Sequence, residues 1–212
     1  MNRPLIRLAL PKGRAQKVVL AALAAGGGAF AGLDPQDRRL RVTLPEEGLE
    51  LLFLKGWDVP RYVENGVADA GFVGSDVLDE HGCDLLVPLR LKEGRCRISL
   101  VGFPGTLPAA GGQVRLATKY PATARRVVAK RPWGAEVLEL SGSIELAPIL
   151  GLADLALDIV ETGRTLKDNG LVELEPVAEV RPCLVVNRSS FLAHRFRIND
   201  LADRLESAGV AA

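Results

Sequence analysis

The chain is poor in the features that mark specialised protein classes. Aromatic residues make up only 5% of its 212 positions, and 27 Lys and Arg are set against 26 Asp and Glu, for a net charge of +1. That balance offers no extended basic face for a nucleic acid, and so few aromatics disfavour a base-stacking platform. Any anion site must therefore be local. The three cysteines, Cys83, Cys96 and Cys183, form no CxxC pair, and their odd number is not a disulfide framework. A reducing, cytoplasmic compartment is the expectation. His81 and His194 lie too far apart for a zinc spacing and, like the cysteines, are read as structural. Long apolar runs are missing too. The longest uncharged stretch, Val18 to Leu33, is too short for a membrane span and contains Gly26-Gly27-Gly28. Leu5–Leu10 ends in Pro11-Lys12-Gly13-Arg14, unlike a signal peptide.

What the chain does have is core-forming material, 48% apolar, arranged as alternating strand-like and helix-like segments. Strands are expected at Leu5–Leu10, Arg39–Leu44, Leu49–Leu54, Ala68–Val73, Leu85–Leu89 and Arg95–Phe103. After the Pro- and Gly-rich segment 104–112 come further strands at Val114–Thr118, Val137–Leu140, Leu155–Val160, Leu171–Val180 and Leu184–Asn187. Helices are expected at Arg14–Ala25, after Asp58-Val59-Pro60 with Asp58 as cap, after Gly74-Ser75-Asp76, and at Ala122–Lys130, Glu145–Leu150, Thr165–Asn169 and Phe191–Ser207. The Gly- and Ala-rich stretch 26–33 is expected to be a loop. No internal repeat stands out. The pattern implies an α/β protein of two lobes, each a mixed, mostly parallel sheet with helices on both faces, divided near residues 92–112. Ligands of such folds sit beyond the C-terminal ends of strands, so the strand-to-helix turns are the places to search.

One turn is the most informative. An apolar strand runs through Asp154 and Asp158 into Glu161-Thr162-Gly163-Arg164-Thr165-Leu166. Gly163 permits a tight turn and close approach of the backbone, the following amides favour an anion, and Thr162 and Thr165 add hydroxyl donors. Together these make a phosphate cradle. Asp158 and Glu161 beside a phosphate would repel it unless they bind ribose hydroxyls or a Mg²⁺, so the segment points to a phosphorylated sugar. The plainer alternative is a strand–turn–helix with a capping Thr. At the first strand-to-helix turn, Lys12 and Arg14 oppose the helix dipole, a placement that an anion would reverse. Asp69 and Asp76 flank a Gly-Phe-Val-Gly turn. Capping is the reading for Asp76, and the role of Asp69 stays open. Ser141-Gly142-Ser143 with Glu145 forms another such turn, and Lys119 follows a strand. Asp154 is expected deeper in the sheet than Asp158, on the same face.

The Glu-Thr-Gly-x-Thr turn resembles the 5-phosphoribosyl-1-pyrophosphate (PRPP) loop of phosphoribosyltransferases. Six more blocks accompany it: Leu10–Arg14, Asp58–Asp76, Ala117–Pro121, Leu140–Pro148, Gly151–Asp154 and Leu184–Arg188. Over about residues 5 to 190 the chain resembles the short form of the ATP phosphoribosyltransferase family, which acts in the first step of histidine biosynthesis. The resemblance implies a fold like type II periplasmic binding proteins, with lobe I at 1–92 plus 180–212 on the nucleotide side and lobe II at 93–179 carrying the PRPP loop. It implies transfer of the phosphoribosyl group of PRPP to N1 of ATP, with Mg²⁺ held mainly by the pyrophosphate. Asp158, Glu161, Thr162, Gly163, Arg164 and Thr165 would bind PRPP. Lys12, Gly13, Arg14, Lys55, Asp69, Ser141, Gly142 and Ser143 would serve ATP and polyphosphate. Lys12, Arg14, Asp158 and Glu161 would form the catalytic set. The implied partners are ATP, PRPP, a histidyl-tRNA-synthetase-like regulatory subunit and a second copy of the chain. Lys55 departs from the pattern, because the family usually has an Arg there and a lysine does not reproduce a bidentate contact. A non-catalytic two-lobe protein that binds a small anion would share this fold.

Overall fold

The computed structural model describes residues 5–34 and 39–212. Residues 1–4 and 35–38, which fall within the expected first lobe, lie outside the described residues. The chain divides into two compact units. One is the chain up to Gly94 together with Arg181–Ala212, and the other is Arg95–Val180.

The first unit holds a six-stranded sheet in the order β2-β3-β1-β4-β11-β5, formed by β1 (Ile6–Pro11), β2 (Arg41–Leu44), β3 (Leu49–Leu54), β4 (Ala70–Gly74), β5 (Leu86–Arg90) and β11 (Pro182–Val186). Strand β1 pairs parallel with β3 and β4. Strand β11 returns antiparallel between β4 and β5. Both faces are covered, and the period-two alternation of the strands divides the core accordingly. Leu8, Leu10, Leu51, Phe72 and Leu184 pack on one face with Val19 and Leu23 of α1 (Arg14–Ala25) and Leu201 and Leu205 of α7 (Arg188–Ser207). Ala9, Val73, Cys183 and Val185 pack on the other with Val59 and Val63 of α2 (Val59–Glu64) and Val77 of α3 (Ser75–His81).

Several local expectations change. The glycine-rich stretch after α1 is not a loop but a 3₁₀ turn, Gly28–Gly32, because Phe30 is buried in the core and the Ala29 amide donates to Glu47 Oε1 at 2.8 Å. Asp58 sits at the N-cap of α2 without a capping hydrogen bond, and Asp76 lies inside the first turn of α3, whose cap is Gly74. Helix α7 starts at Arg188 because Asn187 Oδ1 accepts from the amides of Ser189 and Ser190. The Asn187 amide group also donates to the carbonyls of Val63 and Glu64, tying α7 to the end of α2.

The second unit holds a five-stranded sheet in the order β10-β6-β9-β7-β8, from β6 (Cys96–Gly102), β7 (Gln113–Thr118), β8 (Gly134–Glu139), β9 (Leu155–Val160) and β10 (Val172–Val180). Strands β7, β8 and β9 run parallel, β6 runs against them, and β10 pairs antiparallel with β6 and so shares their direction. Ala117, Ala156 and Val160 pack with Ala147 of α5 (Leu146–Ile149) and Leu166 of α6 (Arg164–Asp168). Helix α4 (Pro121–Val128) packs against β7 and β8.

The two units share a short sequence device. Gly66-Val-Ala-Asp69 precedes β4, and Gly151-Leu-Ala-Asp154 precedes β9. The Asp69 amide donates to the Arg7 carbonyl at 2.9 Å while Asp69 Oδ2 accepts from the Arg7 amide at 2.8 Å. The Asp154 amide donates to the Arg115 carbonyl at 2.9 Å while Asp154 Oδ2 accepts from the Arg115 amide at 2.7 Å. Each aspartate thus closes the N-terminal end of a parallel pair, where the amide one residue before the first paired position would otherwise lack a partner. The Arg115 amide accordingly holds the Asp154 carboxyl below its ordinary range. Asp154→Ala is expected to lower the unfolding free energy by about 1 kcal/mol, less than a buried charge-assisted bond contributes because the carboxylate is 46% exposed. PRPP binding should be unchanged. Because the folded pKa is depressed, the lost contribution is one present at neutral pH and absent in acid, so wild type and variant should converge as pH falls. Urea titrations at neutral and acid pH check this.

Candidate active site

The parallel strands of the second unit bring three strand-to-helix turns to one edge of its sheet. These are Lys119-Tyr120 after β7, Leu140 to Glu145 after β8, and Glu161-Thr162-Gly163 after β9. Each is shaped by specific bonds. Thr118, fully buried, donates its hydroxyl to the Leu157 carbonyl at 2.8 Å and accepts from the Tyr120 amide at 2.9 Å, which fixes Lys119 between them. Ser143 has φ 50°, the one non-glycine residue in the left-handed region among those described. Such a conformation is held against its own cost by its surroundings and clusters at functional sites. Gly163 has φ 71° and ψ 7°, so the chain turns from β9 into α6 in a conformation glycine adopts without strain. The Thr162 hydroxyl accepts from the Arg164 amide at 3.4 Å, and the Asn169 side chain holds the Thr165 carbonyl at 2.8 Å.

Asp158 is half-buried near the end of β9. Burial pushes its carboxyl above the ordinary range. The Ile159 amide opposes that rise, Glu145 adds to it and Lys119 opposes it. The two charges come from the turns after β8 and β7, so Asp158, Glu145 and Lys119 form one electrostatic unit. Glu161, Thr162, Arg164 and Thr165 are exposed beside it, as are Ser141, Gly142 and Ser143. The array offers hydroxyls, amides and a cation for an anion, with a carboxylate set for hydroxyl groups.

In the first unit, the register Pro11↔Leu54 sets Lys12 and Lys55 side by side at the C-terminal ends of parallel β1 and β3, and the Lys12 amide donates to the Leu54 carbonyl at 2.7 Å. Gly13, at φ 82° and ψ −144°, caps α1, and Arg14 opens it. Lys12, Gly13, Arg14 and Lys55 are exposed. Beyond Lys55, the half-buried Trp57 meets His81 edge-on at 4.9 Å and 84°.

Asp69 does not join this group. It lies at the opposite end of the sheet, beside Arg7, which precedes Lys12 by five strand residues or roughly 16 Å. Its two oxygens are engaged by the Arg7 amide and the Ser190 hydroxyl at 2.7 Å. Asp154 is likewise at the far edge of its own sheet and is exposed, not buried below Asp158. The residues that sequence reasoning passed over are those arriving by strand pairing. Arg97 and Ser99 on β6 lie beside β9, and Glu173 on β10 lies beside β6, through antiparallel registers that no local pattern encodes. Glu145, in sequence only part of a turn, reaches Asp158 through the alignment of β8 and β9 on either side of β7. Cys183 is buried and accepts from Arg90 Nη1 at 3.2 Å, and His81 Nδ1 is buried without a hydrogen-bond partner. Among the described residues, no group of three or more His, Cys, Asp and Glu is arranged to hold a metal.

The comparisons with known proteins converge. The family described as ATP phosphoribosyltransferase matches over residues 55–207. The ATP phosphoribosyltransferase of Oceanobacillus iheyensis is 39% identical over 202 residues, covering 95% of this chain and 97% of that protein. That of Syntrophotalea carbinolica is 42% identical over 206 residues, covering 95% and 94%. The solved ATP phosphoribosyl transferase (HisG:HisZ) complex from Thermotoga maritima contains a chain that superposes with a TM-score of 0.82 at 34% identity, covering 96% of this chain and 98% of that one. With two α/β units, a Glu-Thr-Gly-Arg-Thr turn at the end of β9 and this likeness along nearly its whole length, the chain belongs to the ATP phosphoribosyltransferase family.

Proposed function

We propose that this chain catalyses the reaction of ATP with PRPP to give N1-(5-phosphoribosyl)-ATP and pyrophosphate, the first step of histidine biosynthesis. N1 of adenine supplies the electron pair for the new bond to C1 of the ribose. The C1–O bond breaks, and its electron pair leaves with pyrophosphate. The ribose ring becomes cationic in the transition state while the leaving group gains negative charge. Positioning and charge neutralisation therefore dominate, and no activated nucleophile is needed.

The observation that carries this reading is the turn after β9, where a left-handed glycine between two threonines follows a half-buried aspartate. In this reading the amides and hydroxyls of Thr162 to Thr165, with Arg164, hold the 5′-phosphate. Asp158 and Glu161 accept hydrogen bonds from the ribose hydroxyls, and their negative charge favours the developing ring cation. Ser141, Gly142 and Ser143 line the same edge as donors to phosphate oxygens. Lys12, Arg14 and Lys55 meet polyphosphate oxygens, Arg14 as a fork and the two lysines as point charges.

Members of the family use a metal ion. The donor set of this chain fits Mg²⁺ carried by the substrate. No three-ligand cluster is present among the described residues, whereas Mg²⁺ keeps several waters and is held by phosphates with one or two carboxylates. Asp158 and Glu161 would supply those carboxylates. When bound, the ion neutralises charge on the departing pyrophosphate.

The related Thermotoga maritima structure is a complex of two kinds of subunit. By the same likeness this chain works with a histidyl-tRNA-synthetase-like regulatory subunit and pairs with a second copy of itself. A cytoplasmic location agrees with this role, and no helix among the described residues is long and apolar enough to cross a membrane.

Purified chain given ATP, PRPP and Mg²⁺ should form the adduct slowly alone and faster with the regulatory subunit, followed by the change in the adenine absorbance band. PRPP-dependent binding without product, even with that subunit added, would instead favour the non-catalytic anion-binding reading.

A further inference from the structure

The Glu161–Thr165 turn has a weakness as a binding element. Gly163 gives it the left-handed turn but little stiffness, because glycine restricts φ and ψ less than any other residue. A turn that must present amides and hydroxyls in a fixed direction needs an anchor from outside itself. The second unit supplies one.

Arg97 is the second residue of β6, and its register partner on antiparallel β9 is Val160, the last strand residue before the turn. Its guanidinium is gripped by Glu173 of β10. Arg97 Nε donates to one carboxylate oxygen and Nη2 to the other. Glu173 is fixed in turn by the hydroxyl of Ser99, which is fully buried and donates to Glu173 Oε1 at 2.7 Å. A register shift in β10 between Glu173 and Glu175 leaves Glu173 at the start of a bulge, where a strand can re-aim a side chain. With the fork occupied in this way, the remaining Nη1 donates to the Glu161 carbonyl at a long 3.4 Å, a contact whose direction is set by the clamped guanidinium and not by its own strength. The Arg97 guanidinium holds the Glu173 carboxyl below its ordinary range, so the pair stays ionised through neutral pH.

We propose that Arg97 is a positioning residue for the phosphoribosyl donor, clamped by Glu173 and Ser99 so that its free N–H pins the carbonyl of Glu161 and fixes the backbone that presents Thr162 to Thr165. The assignment rests on the reading of this turn as the PRPP phosphate site and adds a residue three strands of sequence away from it. It also explains the residue type. One planar guanidinium can satisfy both oxygens of Glu173 and still offer an N–H to a carbonyl, whereas a lysine ammonium is a point charge without that fork.

The test measures equilibrium binding of PRPP and of ATP to the full chain, with steady-state constants for both. Arg97→Lys keeps the charge and loses the fork. It should weaken PRPP binding and raise the KM for PRPP about tenfold, leave ATP binding within twofold, and lower kcat less than it raises that KM. Glu173→Gln, which keeps hydrogen-bond acceptance but loses the ion pair, should shift PRPP binding in the same direction by a smaller factor, and it carries the test if Arg97→Lys folds poorly. The double variant should be no worse than Arg97→Lys, because both changes act through one clamp. Equal loss of affinity for both substrates, in step with a fall in thermal stability, would reduce Arg97 to a general structural role and overturn the proposal. Thr162→Ala with Thr165→Ala serves as the control. If that variant loses PRPP affinity and both clamp variants do not, the clamp is refuted while the phosphate site stands. If neither loses it, the phosphate site itself is misplaced.

Discussion

Replacing Thr162 and Thr165 together by alanine is expected to weaken PRPP binding at least tenfold and leave ATP binding unchanged. The two hydroxyls flank Gly163, and both residues are exposed at the sheet edge where β9 ends. A hydrogen bond to a charged group contributes about 1.5–3 kcal/mol, and each 1.4 kcal/mol is tenfold in affinity. Two such bonds set the expectation, and the minimum of tenfold allows for water replacing one of them. Stability should change little, because the visible role of these side chains in the free protein is slight. Thr162 Oγ1 accepts from the Arg164 amide at a long 3.4 Å, and the Asn169 contact to residue 165 is to its backbone. Isothermal titration with PRPP and with ATP separates the two affinities. Loss of both would mean that the substitution has disturbed the unit as a whole.

Asp158→Asn should lower kcat by about 100-fold, the scale on which removal of one electrostatic group at a developing charge is felt. The same change should make the protein more stable at neutral pH. The sign follows from the burial of the carboxyl, which raises its pKa above the ordinary value of 3.8. The folded chain then holds this proton more tightly than the unfolded chain, so ionisation disfavours folding. Stability from this group is complete below the unfolded value and declines as pH rises through the folded one. An asparagine does not ionise, so the melting temperature of the variant should exceed that of wild type at neutral pH and approach it in acid. A site that gains stability when its charged group is neutralised, and loses rate in the same step, is one in which charge is kept for function. Parallel melting curves and rate measurements across pH check both halves. Unchanged rate with raised stability would take Asp158 out of the chemistry.

The parts of this protein that could be read from its residues are those encoded over short stretches of chain. Leu49–Leu54 and Leu155–Val160 are strands to the residue, because each is an apolar run stopped by polar or turn-forming neighbours. The turn at Gly163 is where its composition places it, as are Lys12, Arg14 and Lys55 at strand ends. What escapes is anything decided by distant partners. The glycine-rich segment 28–32 coils because Phe30 finds the core and Glu47 meets a backbone amide. Asp69 looks like a site carboxylate in a linear reading and Asp154 is open to a structural or a functional role, yet each is the N-terminal lock of a parallel strand pair. That role, and the repeat it reveals, emerges only when Arg7 and Arg115 come alongside. Arg97 is invisible for the same reason, since its partner Glu173 is 76 residues away in sequence.

The most direct measurement is a crystal structure of the chain soaked with PRPP and Mg²⁺. The 5′-phosphate should lie against the amides of Gly163 to Thr165, with the ribose hydroxyls facing Asp158 and Glu161. Well-ordered PRPP lodged elsewhere, with the Glu161–Thr165 turn bare, would contradict it.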